Sequence, residues 1–178
     1  MAKGINLDGS IVSARDDAFI YNALAGKSGI YNYGNKFTQV VVSANLIRIK
    51  DGIALLQGRN YVIYPSETVD VTIDNGTQGT KRNDIIVVEF ERTSSKETIT
   101  IKVVKGTPVS SGNAADPALT QQDTLASGTK YQLPLYRVRL DGINISAVND
   151  LRIYIPSLSK SIQFISDTED YVEVEFYK

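Results

Sequence analysis

The chain has no cysteine, no histidine and no tryptophan, and a single methionine among its 178 residues. Without cysteine there is neither a disulfide nor a thiolate nucleophile, so stability must come from packing, within one copy or between copies. Without histidine the imidazole base of hydrolytic triads is missing, and with both absent every Cys/His metal site is excluded. Catalysis would have to draw on carboxylates, Lys, Tyr, Ser and Thr. Long apolar runs are missing too: the longest, Ile85 to Val88, falls far short of the roughly 20 residues that cross a bilayer. Met1-Ala2-Lys3-Gly4 has no apolar segment behind it, so no signal peptide is expected. Neither sign of charge is in excess. With 19 basic and 20 acidic residues the formal charge is -1, which offers nothing to draw in nucleic acid or an anionic membrane.

What remains is ordinary in bulk. Hydrophobic residues make up 42% and charged residues 22%, the balance of a globular domain with one well-buried core. Ser13 followed by Asp16, with Asp17 beside it and Gly26 beyond, reads as a capping box, acids in the first turn and a glycine stop. Phe19, Ile20, Ala23 and Leu24 then fall on one face at helical spacing. The spacing predicts a short helix at about 13–25.

After Gly34-Asn35 the pattern becomes β. Segments at 37–43 and 46–50 are rich in β-branched residues, and Asp51-Gly52 reads as a hairpin turn. Strands continue at 53–57 and 61–64 until Pro65-Ser66, where a break is expected. Val69, Val71 and Ile73 alternate with polar residues, and a loop follows over 77–83. Ile85 to Phe90 starts as a continuous apolar run, the mark of a central strand buried on both faces. Ile99, Ile101 and Val103 form its return strand. The stretch 106–129, with few large apolar groups, is too long for a plain connector and reads as a functional loop or a surface-hugging arm, with a weak helix signal at 117–126. Strands resume at 133–140, turn at Asp141-Gly142 and return over 143–148. Beyond lie Ile153-Tyr154-Ile155, a Ser-rich linker at 157–161, and a last strand in which Val172, Val174 and Phe176 alternate with Glu173 and Glu175. Many short strands with closely spaced turn signals predict a mainly β protein, a β-sandwich or barrel-like domain with one short N-terminal helix. The domain is expected over 1–150, with 151–178 a short C-terminal extension ending in a strand.

Chemical motifs give little. Ser157-Leu158-Ser159-Lys160 fits S-x-x-K but lacks the S-D-N and K-T-G partners of that chemistry. The glycines of 76–81 are too closely spaced for a phosphate loop, and a strand follows rather than a helix. Glu89 and Glu91, like Glu173 and Glu175, lie two apart on strands, with Cα atoms about 7 Å apart. Such pairs point the same way and do not flank a bond, so a solvated sheet face is expected. Asp70, Asp74 and Asn75 lack the order of a calcium loop. No catalytic residue, metal site or cofactor is expected. Ten tyrosines are a modest bias. Tyr31 and Tyr33 share a face, and Tyr61 and Tyr64 sit in a strand. Tyrosine suits the rim of a core, an interface between subunits, or a platform for sugar rings.

Certain strings are distinctive in their order and spacing: Ala14-Arg15-Asp16-Asp17-Ala18; Leu24 to Tyr31; Asn45-Leu46-Ile47-Arg48-Ile49; Asp51-Gly52 with Gln57-Gly58-Arg59; Asp74 to Gly79 running into Arg82-Asn83-Asp84-Ile85-Ile86-Val87; Lys105-Gly106-Thr107-Pro108; Ala115-Asp116-Pro117; and Leu133-Pro134-Leu135-Tyr136-Arg137-Val138. Over about residues 10–148 the chain resembles virion structural proteins of tailed phages and prophages of Gram-positive bacteria, encoded among tail, baseplate or fibre genes. The resemblance implies a non-enzymatic assembly or attachment module found in the virion, with no catalytic residues to carry over. Its partners would be further copies of itself, most simply in a trimer, and other virion proteins. The alternative is a receptor-binding module for host cell-wall carbohydrate. Tyr31, Tyr33, Tyr61, Tyr64, Val172, Val174 and Phe176 are the candidate interface residues, and the 106–129 arm is a second candidate contact.

Overall fold

The computed structural model describes residues 12–156 and the backbone of two further strands, Ile162–Ser166 and Val172–Phe176. Helix α1 spans Ala14–Ala25. Its start is the expected capping box. The Ser13 hydroxyl accepts from the Asp16 backbone N–H, and the Asp16 carboxylate accepts from the Ser13 N–H at 3.0 Å. Gly26, with φ at 70°, closes the helix in the left-handed conformation that a side chain would disfavour. The expected inward face is a different matter. Only Asp16 and Ala18 are buried, while Phe19 is 47% and Leu24 80% exposed. The helix comes closest to the sheet at Ala18, and that contact needs Gly58, whose missing side chain leaves room for the Ala18 carbonyl.

Two sheets face each other in a β-sandwich-like fold. The first contains β1 (Gly29–Tyr31), β2 (Gln39–Ser43), β3 (Leu46–Leu56), β4 (Arg59–Thr72) and β9 (Tyr154–Ile155), ordered β2-β3-β1-β9 with β4 on the other side of β3. The second contains β5 (Lys81–Arg92), β6 (Glu97–Val104), β7 (Lys130–Asp141) and β8 (Asn144–Asp150), ordered β6-β5-β7-β8. Strands β10 (Ile162–Ser166) and β11 (Val172–Phe176) pair with each other in a separate antiparallel ribbon. The expected central strand is β5, where Ile85 to Val88 are all buried. Ile86, Val88 and Phe90 join the inter-sheet core with Leu133, Leu135 and Val138 of β7 and Ile47, Ile49 and Ala54 of β3.

Two turn expectations fail for one reason. Asp51-Gly52 does not end a strand but lies inside β3, at a bulge between Lys50 and Gly52. Opposite it, Pro65-Ser66 does not end β4: Tyr64 to Glu67 bulge out between Ile63 and Thr68, and Ser66 takes φ at 72°. A bulge accepts a proline that a regular ladder would reject. The Asp51 carboxylate is engaged by the backbone N–H and side-chain amide of Asn35. At Gly52 a side chain would strike the Phe37 backbone. The pair therefore clamps the 34–37 loop. The extra residue also reverses the facing of β3: Ile47 and Ile49 point inward before the bulge, Ala54 and Leu56 after it. The true β3–β4 turn is Gln57-Gly58, both with positive φ, as a tight hairpin requires.

The segment between β6 and β7 is a surface-hugging arm without helix. A helix at 117–126 is precluded because its backbone is spent on the sheet: Thr120 N–H donates to the Gln132 side chain, Gln122 N–H to the Lys130 carbonyl, and Thr124 N–H to the Gln57 side chain. Asn83 donates to the Ala114 carbonyl and to Asp116, which also pairs with Arg137.

Candidate functional site

A groove of about 520 Å³ lies between α1 and the outer face of the first sheet. Tyr21 reaches it from α1, Tyr31 from β1, and Asn32 and Tyr33 from the residues after β1. Ile53 of β3, Asn60 and Val62 of β4 and Ile155 of β9 complete the lining. Because Ile53 and Val62 are cross-strand partners, they form one apolar floor. Burial, and the neighbouring Tyr21 hydroxyl, push the Tyr31 phenol above its ordinary value of 10.0. The Tyr31 phenol therefore stays neutral at physiological pH and can both donate and accept hydrogen bonds.

The four candidate tyrosines divide. Tyr31 and Tyr33 line the groove. Tyr61 packs at the rim of the core and stacks on Phe37, ring centroids 6.1 Å apart. Tyr64, 65% exposed, is the first residue of the β4 bulge. The backbone of Val172, Val174 and Phe176 lies in β11, paired to β10; their side chains, like the 157–161 linker, fall outside the described residues. Sequence reasoning missed Tyr21, Asn32 and Asn60. Nothing local marks them, since the groove is assembled from a helix and four strands distant in sequence.

Glu89 and Glu91 lie in an ion-pair network with Lys102 and Lys130. Glu89 is not on a solvated face as expected: it is 4% exposed under the arm's flank. Its carboxylate accepts from Lys102 Nζ and Gln132 Nε2, both at 2.6 Å, with Lys130 Nζ at 3.8 Å. Burial alone would raise its pKa, but the Lys102 and Gln132 hydrogen bonds and the two ammonium groups outweigh it and hold it below the usual value. A carboxyl fixed in the ionised form and surrounded by cations is a poor general acid. Asp70 pairs with Arg48 and Asp74 with Lys105. Among the described residues no group of three or more acidic or other ligating side chains is placed to hold a metal ion, and no helix is long and apolar enough to cross a membrane.

Apolar surface is the more unusual feature. In β2, Val40, Val41 and Val42 are 43%, 47% and 46% exposed. The strand pairs with β3 on one side, and among the described residues nothing pairs with its other edge. No protein-family model matches the chain, and no curated protein matches it.

Proposed function

We propose that this protein is a non-enzymatic structural component of a tailed-phage particle, acting in assembly or attachment at the tail, baseplate or fibre. It works as a homo-oligomer, most simply a closed trimer, joined to other virion proteins. The resemblance over about residues 10–148 supports the class of particle. The observation that carries the assembly role is the β2 edge. Gln39–Ser43 is a strand without charge or proline, exposing three consecutive valines on both of its faces. Such an edge offers backbone donors and acceptors to a further strand. Within β2 its one blunting feature is the bulge between Val41 and Ser43. A partner strand laid along it would cover all three valines and satisfy the free backbone groups together. In a cyclic ring that partner is a different edge of the next copy, which closes the assembly without leaving an open fibre.

The test is the solution mass of the wild type and of Val40→Glu. Val40 lies opposite Arg48, so a glutamate there is tolerated by the fold and still puts charge on the edge. The wild type should hold a constant multiple of 19.5 kDa across a tenfold dilution, and Val40→Glu should fall to the single-chain mass. Unchanged assembly in both Val40→Glu and Val42→Glu would remove the β2 edge from the proposal.

A further inference from the structure

Strands β10 and β11 form a two-stranded ribbon that, among the described residues, pairs with no other strand. Two strands alone are marginal in water, and become stable when a third strand or a helix joins them. The register gives the ribbon two unlike faces. Ile162, Phe164 and Ser166 stand opposite Phe176, Val174 and Val172 on one face, while Gln163 and Ile165 stand opposite Glu175 and Glu173 on the other. Its two outer edges differ as well. β11 carries Glu173 and Glu175, and such charges keep an edge from recruiting further strands. β10 (Ile-Gln-Phe-Ile-Ser) has neither charge nor proline. β2 is an edge of the same sort: five residues, again without charge or proline, and unpaired on the side away from β3 among the described residues.

We propose that β10 of one copy pairs with the β2 edge of the next, so that the ribbon extends the neighbour's first sheet from β2 through β10 to β11. The pairing rests on the assembly reading and names the partner edge that it requires. Both strands are five residues long, so each can satisfy the backbone groups of the other along its whole length. Val41 lies opposite Ile47, on the face that closes the core. The Ile162–Phe164 face of the ribbon, laid on that same side, carries the apolar layer on past the valines. β11 then becomes the outermost strand, and its two glutamates end the sheet there. Within one chain the ribbon stays off β2, which leaves that edge to another copy. A ribbon given by each copy and received by the next is a head-to-tail contact, and it closes into a ring when the rotation between copies is a whole fraction of a turn.

The chain has no cysteine, so introduced ones report alone. Val41→Cys is co-expressed in turn with Ile162→Cys, Phe164→Cys and Ser166→Cys, successive positions on one face of β10, and the full-length mixtures are oxidised and run without reductant. A disulfide needs Cα atoms within about 7 Å, so it joins neighbouring strands and reaches no further. At least one mixture should give a linked product of twice 19.5 kDa that neither variant gives alone. Adding Val40→Glu to the Val41→Cys chain should abolish it, and Val174→Cys, one strand farther out, should give none. Linkage of Val41→Cys to itself or to Val174→Cys overturns the proposal, since the edge then belongs to a second β2 or to β11. So does a link without gain in mass when Val41→Cys and Phe164→Cys share one chain, which assigns the edge to the chain's own ribbon. Absence of any link, while the wild type holds its oligomeric mass and Val40→Glu loses it, overturns the ribbon pairing and leaves the β2 interface standing. A wild type of single-chain mass at every concentration removes the assembly reading and this pairing together.

Discussion

Replacing Asp84 by alanine removes the carboxylate that pairs with Arg82 at the end of the sandwich. The pair is bidentate, Arg82 Nε and Nη2 to the two Asp84 oxygens at 2.8 and 2.9 Å, with side chains 5% and 1% exposed. Arg82 also holds the β4–β5 connection through the Asp74 carbonyl, and Asp84 accepts the Gly106 N–H at the root of the arm. In Asp84→Ala the guanidinium stays buried without its hydrogen-bonded carboxylate, a loss of up to about 3–5 kcal/mol, which Asp74 nearby offsets only in part. The stranded Gly106 N–H adds roughly 1–3 kcal/mol, less whatever water recovers. Against a total stability of about 5–15 kcal/mol, the variant should lie close to unfolding. Its melting temperature should drop by roughly 10 °C or more, given about 2–4 °C per kcal/mol at this size. Asp84→Asn keeps an acceptor for Gly106 and should lose less. The double variant Arg82→Met with Asp84→Leu should recover much of the loss, because removing both charges removes the desolvation penalty as well. Thermal and urea melts followed by far-UV circular dichroism measure the three variants against the wild type. An Asp84→Ala loss under about 1 kcal/mol would refute the reasoning, since the pair would then behave as a solvated surface bridge.

Other consequences are equally direct. Gly58→Ala forces a side chain against the Ala18 carbonyl at a φ of +85°, so α1 should lift off the sheet. Limited proteolysis should then cut within 14–25 before the sandwich melts, and an unchanged cleavage pattern would contradict the seating of the helix. Asp116 and Asp150 are held below their ordinary 3.8, chiefly by hydrogen bonds from Arg137 and Arg152. Glu89 and Glu97 lie below 4.5, because hydrogen bonds from their cationic neighbours outweigh burial. Below these ordinary values the unfolded chain binds more protons than the folded one, so stability is full above about pH 5 and falls as pH drops through 4 and lower. With no histidine, urea midpoints should be flat between about pH 6 and 8; a slope there would contradict the assignment. Burial pushes the Tyr136 hydroxyl up to about 12, and it donates to the Phe37 carbonyl at 2.9 Å. Its contribution is complete below pH 10 and is lost as pH rises toward 12, so ultraviolet titration should show Tyr136 among the tyrosines that ionise late, together with unfolding.

Much of the fold was legible because its signals are local. The Ser13–Asp16 capping box, the Gly26 stop and the apolar run at Ile85–Val88 each work through neighbours in sequence. The failures share a cause: partners far along the chain. Asp51-Gly52 carries the residue types of a turn, yet the 34–37 loop folds over it and keeps β3 running. Pro65 reads as a break, but the long bulge opposite Asp51 absorbs it. Phe19 and Leu24 have core spacing on a helix whose only buried residues are Asp16 and Ala18, so they stay exposed. Glu89 follows the alternation of a wet face, while Gln132 and two lysines from flanking strands turn that place into a buried charge network. The groove is the extreme case. Tyr31 and Tyr33 were visible as a pair, but Tyr21 and Asn60 reach it only after the helix and the β3–β4 hairpin have closed on each other.

The edge of β2 can be read most directly by amide hydrogen exchange of a peptide spanning 39–43, measured at high and at low protein concentration. If a partner strand pairs with that edge, its outward amides exchange slowly in the concentrated protein and speed up on dilution and in Val40→Glu. Fast exchange at every concentration, with the solution mass at a single chain, would contradict assembly through β2.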